Sequence, residues 1–382
     1  MTHERNQSVV LIHGPGQNQT FSQPEAGNHP YHMFRMIETY FLPLTCVVGL
    51  ICNTLATKTF LDKKMRKFSC SMYLVTKCMS DSIFLLNMLV IYICGAFSVA
   101  ITTVRILCKV VIFVTYVSGF VSVWSVIFVT VENFIRIRFP YDVKRLCTTR
   151  NATVGIAIVV LASLCLYHFS LWISDEHCQA LPQFSRTTQA FVFVDTLLTL
   201  ILPSILLAVF ILAIISKLLG MHSSRNKQLT GSQTIPLAST VRPVGQTRKS
   251  DAQIAAVTKM LLAVSLTFFV LTVPSHAVRI IFLVDSFIQG GGKQLTRPEA
   301  IVQGIAQLFF YSSMSVNLFI FLLFGVNFRR VFKKIYSIGV STTKEAPTII
   351  SESEKELNNC TCAESVDTTG PVSNYNTYSS KD

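Results

Sequence analysis

The chain is short of carboxylates for its bases: 20 Asp and Glu stand against 33 Lys and Arg, a formal charge of +13. Such an excess suits either nucleic acid or an anionic membrane face. The sequence carries no base-stacking or base-reading motif, so nucleic-acid binding is set aside in favour of contact with membrane lipids. No apolar leader opens the chain. Roughly the first thirty residues are polar, so no cleavable signal peptide is expected and the first apolar run serves as signal anchor. Inverted repeats and paired broken helices are missing too, which argues against a transporter. No group of residues suggests a catalytic reaction, and an enzyme is not expected.

What the sequence does have is seven long apolar runs, near Ile37–Leu61, Ser71–Val99, Ile106–Val131, Thr153–Ile173, Ala190–Leu219, Ile254–Val284 and Ile301–Gly325. A hydrocarbon core of roughly 30 Å takes about 20 apolar residues at ~1.5 Å of rise each, and every run is long enough. Soluble helices rarely stay apolar on all sides for so long. Basic residues cluster after runs one, three, five and seven: Lys63, Lys64, Arg66 and Lys67; Arg136, Arg138, Lys144, Arg145 and Arg150; Lys217, Arg225, Lys227, Arg248 and Lys249; Arg329, Arg330, Lys333 and Lys334. The intervening loops carry mixed charge, Asp175, Glu176 and Arg186 after the fourth run and Asp285, Lys293, Arg297 and Glu299 after the sixth. Retention of basic loops in the cytoplasm places the amino terminus outside the cell and the carboxyl terminus inside.

The expected fold is all-α, a seven-transmembrane helix bundle in the plasma membrane. Residues 1–33 form an outer tail, 34–337 the bundle and 338–382 a cytoplasmic tail. Sequons at Asn6 and Asn18 fall on the outer side, where glycosylation is expected, whereas those at Asn151 and Asn359 fall inside and should be silent. Polar composition near 221–250 and 341–382 predicts disorder there, the first stretch being a long third inner loop. Eleven cysteines are present, most of them inside apolar runs as buried thiols. Only Cys108, at the outer start of the third run, and Cys178, after the fourth, both face the oxidising side, and they are expected to pair. Two free thiols are the alternative.

In order along the chain, these residues resemble the rhodopsin-like (class A) G-protein-coupled receptors, over about residues 34–337. The resemblance rests on Gly49-Leu50-Ile51-Cys52-Asn53 in the first run, Asp81 within Leu74–Asp81 in the second, and Cys108, Val131-Glu132-Asn133-Phe134 and Arg138-Phe139-Pro140 in and after the third. Pro203, Phe268 with Pro274, and Asn317-Leu318-Phe319-Ile320-Phe321 follow in runs five to seven. Phe328-Arg329-Arg330-Val331-Phe332-Lys333-Lys334 looks like the family's short amphipathic eighth helix on the inner membrane face. Pro203 and Pro274 are expected to kink their helices.

A carboxylate in mid-membrane is costly without partners, so Asp81 points to a polar interior. The resemblance implies a polar core of Asn53, Asp81, Ser122, Ser313 and Asn317 around a sodium ion, with Asp81 as the metal ligand and no other cofactor; a protonated or water-solvated Asp81 is the alternative. It also implies a heterotrimeric G protein as partner, possible arrestin binding, and a switch at Glu132, Asn133, Phe134, Arg136 and Phe321. Here the chain departs from the pattern. Asn133 stands where the family has Arg, leaving Arg136 as the helical partner of Glu132. Thr272 replaces a Trp, Leu318 a Pro, and Phe321 and Ile211 two tyrosines.

The same comparison excludes ligands. Thr115 stands where amine receptors place an Asp, and the seventh run has no Lys to hold retinal as a Schiff base. A polar cleft of Thr115, Tyr116, Asp195, Thr272, His276, Arg279, Gln303, Gln307 and Tyr311 remains, in which Arg279 suits a carboxylate or carbonyl acceptor; snorkelling to the headgroups or pairing with Asp195 is its alternative role. The pattern is similar to that of invertebrate peptide and chemosensory receptors and implies an extracellular ligand, a peptide. A bundle that binds ligand or acts as a scaffold without G-protein coupling is the competing expectation.

Overall fold

The structure, a computed structural model, describes residues 29–97, 105–173, 185–230, 244–288 and 296–337. They form α1 (His29–Phe60), α2 (Ser69–Ala96), α3 (Arg105–Arg138), α4 (Thr149–Tyr167), α5 (Ser185–Thr196, a π-helical turn Leu197–Ile201, and Leu202–Thr230), α6 (Val244–Ile288), α7 (Arg297–Ser315 and Asn317–Phe324) and α8 (Val326–Tyr336). One-turn pieces, Val143–Leu146 and Ser170–Ile173, precede and follow α4. There is no strand among the described residues. Six helices are long and apolar enough to cross a membrane, and the bent pair that makes up α7 supplies a seventh. Large apolar side chains such as Leu44, Ile51, Ile158, Leu161, Val209, Leu212, Val270 and Leu323 stand exposed on the helices' outward faces, as lipid requires. The seven-helix expectation holds.

Several helices overrun their runs at one end. α1 begins at His29, within the stretch expected as tail, and α5 and α6 extend to Thr230 and back to Val244, into the stretch expected as a disordered loop. Once a span has nucleated a helix, each further residue adds a hydrogen bond at small cost, so polar but helix-competent residues continue it. Residues 231–243 lie outside the described set, as do Asn6, Asn18, Cys178 and residues 338–382.

Two local devices shape the bundle. In α5 the Leu202 N–H reaches back to the Leu197 carbonyl, and this wide turn directly precedes Pro203, which has no N–H to give and would crowd a regular turn. α7 bends by 52° at Val316 although Leu318 occupies the proline position. Ser312, Ser313 and Ser315 bond back to the carbonyls of Leu308, Phe310 and Tyr311, and Asn53 Nδ2 holds the Met314 carbonyl at 2.9 Å. Hydroxyls that compete for helix carbonyls bend helices. α1 fits closely against this bend at Gly49, where a Cβ would come within 2.5 Å of Leu85 Cδ1 and Ser315 Oγ.

Near the Arg136 end of the bundle Phe60, Phe321 and Phe328 join α1, α7 and α8, with ring centroids 4.8 to 5.3 Å apart. α8 buries Phe328 and Val331, and Arg329 Nη1 donates to the Leu322 and Leu323 carbonyls at 2.7 and 2.6 Å, capping α7. α3, α5 and α6 meet through Val126, Leu207, Ile211 and Phe268.

Candidate functional site

Three polar layers are stacked along the bundle. The middle one surrounds Asp81, which is fully buried on α2. Ser122 of α3 donates to Asp81 Oδ1 at 2.5 Å. Asn317 Nδ2 of α7 donates to Oδ2 at 2.7 Å and to Asn53 Oδ1 of α1 at 3.0 Å. The remaining partner was not singled out from the sequence: Lys77, one helical turn before Asp81, places Nζ 2.6 Å from Oδ2, with the lysine side chain 1% exposed and the aspartate 0%. Its ammonium also lies 5.3 Å from the centroid of the Phe268 ring of α6, within cation–π range. The i,i+4 spacing on one helix face was the available signal. Ser313, expected in this core, instead donates to the Phe310 carbonyl of its own helix at 2.7 Å.

The expected sodium ion does not fit this arrangement. Both Asp81 oxygens are engaged, and the carboxylate is already neutralised by an ammonium. An added ion would bring a second positive charge into a dry interior with no second negative one to meet it.

The second layer lies at the Arg136 end. Arg136 Nη2 and Ser69 Oγ both bond Glu132 Oε1, the serine at 2.5 Å and also 3.0 Å from the Cys147 carbonyl. Burial, and then the Glu132 carboxylate, push the nearby Cys147 thiol up to about 11, so it stays neutral. Asn133 Nδ2 donates to the Thr258 carbonyl of α6 at 3.3 Å, so α3 and α6 are joined here by a neutral amide rather than an ion pair. Thr130 and Ser265 add a hydroxyl pair at 2.7 Å between the same helices. Phe134 packs on Phe210 and Phe139, while Phe321, expected at the switch, is fully buried in the aromatic cluster with Phe60 and Phe328. A phenyl ring has no hydroxyl to present to water, so it turns to other rings.

The third layer lies toward the Cys108 end. Cys108 is disulfide-bonded; its expected partner Cys178 is among the residues not described. Tyr116 of α3 stacks on Tyr167 of α4 with centroids 5.1 Å apart, and Tyr167 Oη donates to Asp195 Oδ1 of α5 at 2.6 Å. Nothing in the sequence marked Tyr167, one aromatic in an apolar run. Across from them His276 of α6 meets Phe310 of α7, which with Tyr311 packs on Phe84. Arg279 is exposed on α6, three residues after His276 and so on the same side of that helix. Gln303 and Gln307 lie half-buried on α7. The Thr115 and Thr272 hydroxyls, expected in the ligand cleft, donate to Val111 and Phe268 carbonyls one turn back on their own helices. Two buried polar atoms here, Tyr116 Oη and His276 Nδ1, have no hydrogen-bond partner among the described residues.

Residues 49–321 match the family described as 7 transmembrane receptor (rhodopsin family). The chain belongs to this family. Among curated proteins it is 24% identical to galanin receptor type 2 of Mus musculus over 77% of this chain and 74% of that one. With neuromedin-U receptor 2 of Homo sapiens it shares 25% over 80% and 72%. With galanin receptor 2a of Danio rerio the figure is 22%, over 60% of this chain and only 58% of the relative. These relatives are receptors by name, and membership of the family makes this chain a multi-pass membrane protein and not an enzyme.

Proposed function

We propose that this receptor sits in the plasma membrane with its Cys108 end outside, binds a peptide in the cleft at that end, and signals through a heterotrimeric G protein at the Arg136 end. The observation that carries the reading is the pair of buried atoms, Tyr116 Oη and His276 Nδ1, that no described residue satisfies, on the helices near the exposed Arg279. Buried polar groups are nearly always bonded, so orphans in a cleft are places for a ligand's own donors and acceptors. A guanidinium fork suits the carboxylate or carbonyls of a peptide. Relatives named for galanin and neuromedin-U support a peptide over an amine or retinal. Signalling on this reading is a population shift: the peptide binds the open form more tightly, and α6 separates from α3 at Asn133.

Membranes carrying the receptor, probed with labelled galanin, neuromedin-U and a wider peptide panel, should show saturable binding whose affinity falls roughly tenfold on adding a nonhydrolysable GTP analogue. Binding of no peptide removes the ligand half of the reading, and binding indifferent to nucleotide removes the coupling half. One observation favours a second reading, a ligand-binding bundle without coupling: Arg136 is engaged by Glu132, and Asn133 presents an amide where the family has Arg. Nucleotide exchange driven by Asn133→Arg and not by the native chain would select it.

A further inference from the structure

The charge that neutralises Asp81 is covalently part of the receptor. Lys77 lies on the same face of α2, its four-carbon stem buried along the bundle, and its ammonium is held between Asp81 Oδ2 and the Phe268 ring. Ser122 and Asn317 complete the carboxylate's bonds, and Asn53 ties Asn317 to α1. We infer that Lys77 is a tethered cation that replaces a mobile monovalent ion at Asp81, so that this receptor's core binds no sodium and its stability and affinity do not follow the sodium concentration. Three features of the site carry this. The ammonium and carboxylate are both excluded from water, so they stay paired. Among the described residues no further acidic side chain bonds within the cluster to balance a second cation. The tether keeps the cation at the carboxylate at any ionic strength, because a charge one turn away on the same helix cannot diffuse off. The same ammonium reaches α6, so a ligand that moves α6 must pull Phe268 from a fixed cation, whereas a free ion could leave. This inference concerns the core alone and does not depend on which ligand fills the cleft or on G-protein coupling.

The test is thermal unfolding of the purified full-length receptor in detergent, in sodium chloride against choline chloride at the same ionic strength of about 150 mM. The native protein should unfold at the same temperature, within about 1 °C, in both salts. Lys77→Met, which leaves Asp81 without its cation, should unfold earlier in choline and regain roughly 3 °C or more in sodium. Lys77→Arg, which keeps a cation at the site, should not respond, and neither should Lys77→Met combined with Asp81→Asn. A native protein stabilised by sodium, with the gain lost in Asp81→Asn, would overturn the inference, and that comparison decides even if Lys77→Met fails to fold. A folded Lys77→Met that ignores sodium would overturn it equally, since something other than the lysine would then be excluding the ion.

Discussion

The Asp81 core and the cleft near Cys108 are both polar clusters buried in an apolar bundle, yet one is closed and the other open. At Asp81 each oxygen has a partner, supplied by α2, α3 and α7, and the lysine charge is cancelled in place. At the Cys108 end Tyr167 donates to Asp195 Oδ1 and Thr199 to the Asp195 backbone carbonyl, while Tyr116 Oη and His276 Nδ1 have no partner among the described residues. A low-dielectric interior makes a completed network rigid and an unpaired group expensive. The closed cluster therefore serves to fix helix positions, and the open one stores binding capacity that a molecule from outside redeems.

The largest effect should come from opening the closed cluster. Lys77→Met leaves a buried carboxylate uncompensated and should destabilise the receptor by about 3–5 kcal/mol, measured as thermal unfolding in choline chloride. Adding Asp81→Asn removes the stranded charge and should restore more than half of that loss. A double variant no more stable than the single one would mean that the two residues are not coupled, and the contrast with the cleft would fail.

A smaller effect separates two stacked tyrosines. Tyr167→Phe takes away the donor to Asp195 and should cost about 1–3 kcal/mol of stability. Tyr116→Phe removes a hydroxyl with no partner among the described residues, so stability should change by no more than about 0.5 kcal/mol. Ligand affinity should behave in the opposite way, with Tyr116→Phe weakening peptide binding by about threefold to tenfold. Equal losses of stability in the two variants would show that Tyr116 is bonded after all and that the cleft is as closed as the core.

The legibility of these features in the sequence follows the same division. Spans long enough for a bilayer announce themselves by composition, because lipid tolerates no other solution, and a helix occupies most of each of the seven runs. Asp81, Ser122, Asn53 and Asn317 are polar residues in apolar runs, and they do converge. Lys77 was equally visible and equally anomalous, but reading Asp81 against a pattern that supplies an external ion hid the cation four residues before it. Tyr167 could not be found, since an aromatic residue among apolar neighbours has no mark until the helix opposite places Asp195 beside it. The π-helical turn before Pro203 and the extension of α5 to Thr230 depend on backbone bonding that composition does not encode. Leu318 in place of proline suggested nothing about a bend, whereas three serines near it carried the signal.

The smallest effect is expected at that bend. In an unbroken α-helix the N–H of residue 318 would address the carbonyl of residue 314, and a proline ring at 318 would crowd the same oxygen. Here the Met314 carbonyl already accepts from Asn53 Nδ2 at 2.9 Å and lies 3.1 Å from Asn317 Nδ2, with the helix turned by 52° beside it. Leu318→Pro should therefore cost no more than about 1 kcal/mol in thermal unfolding, while Val160→Pro in the interior of α4 should cost about 3 kcal/mol or more. A loss at 318 as large as that at 160 would mean that α7 is held by its own backbone bond there, and that the serines and Asn53 follow the bend instead of making it.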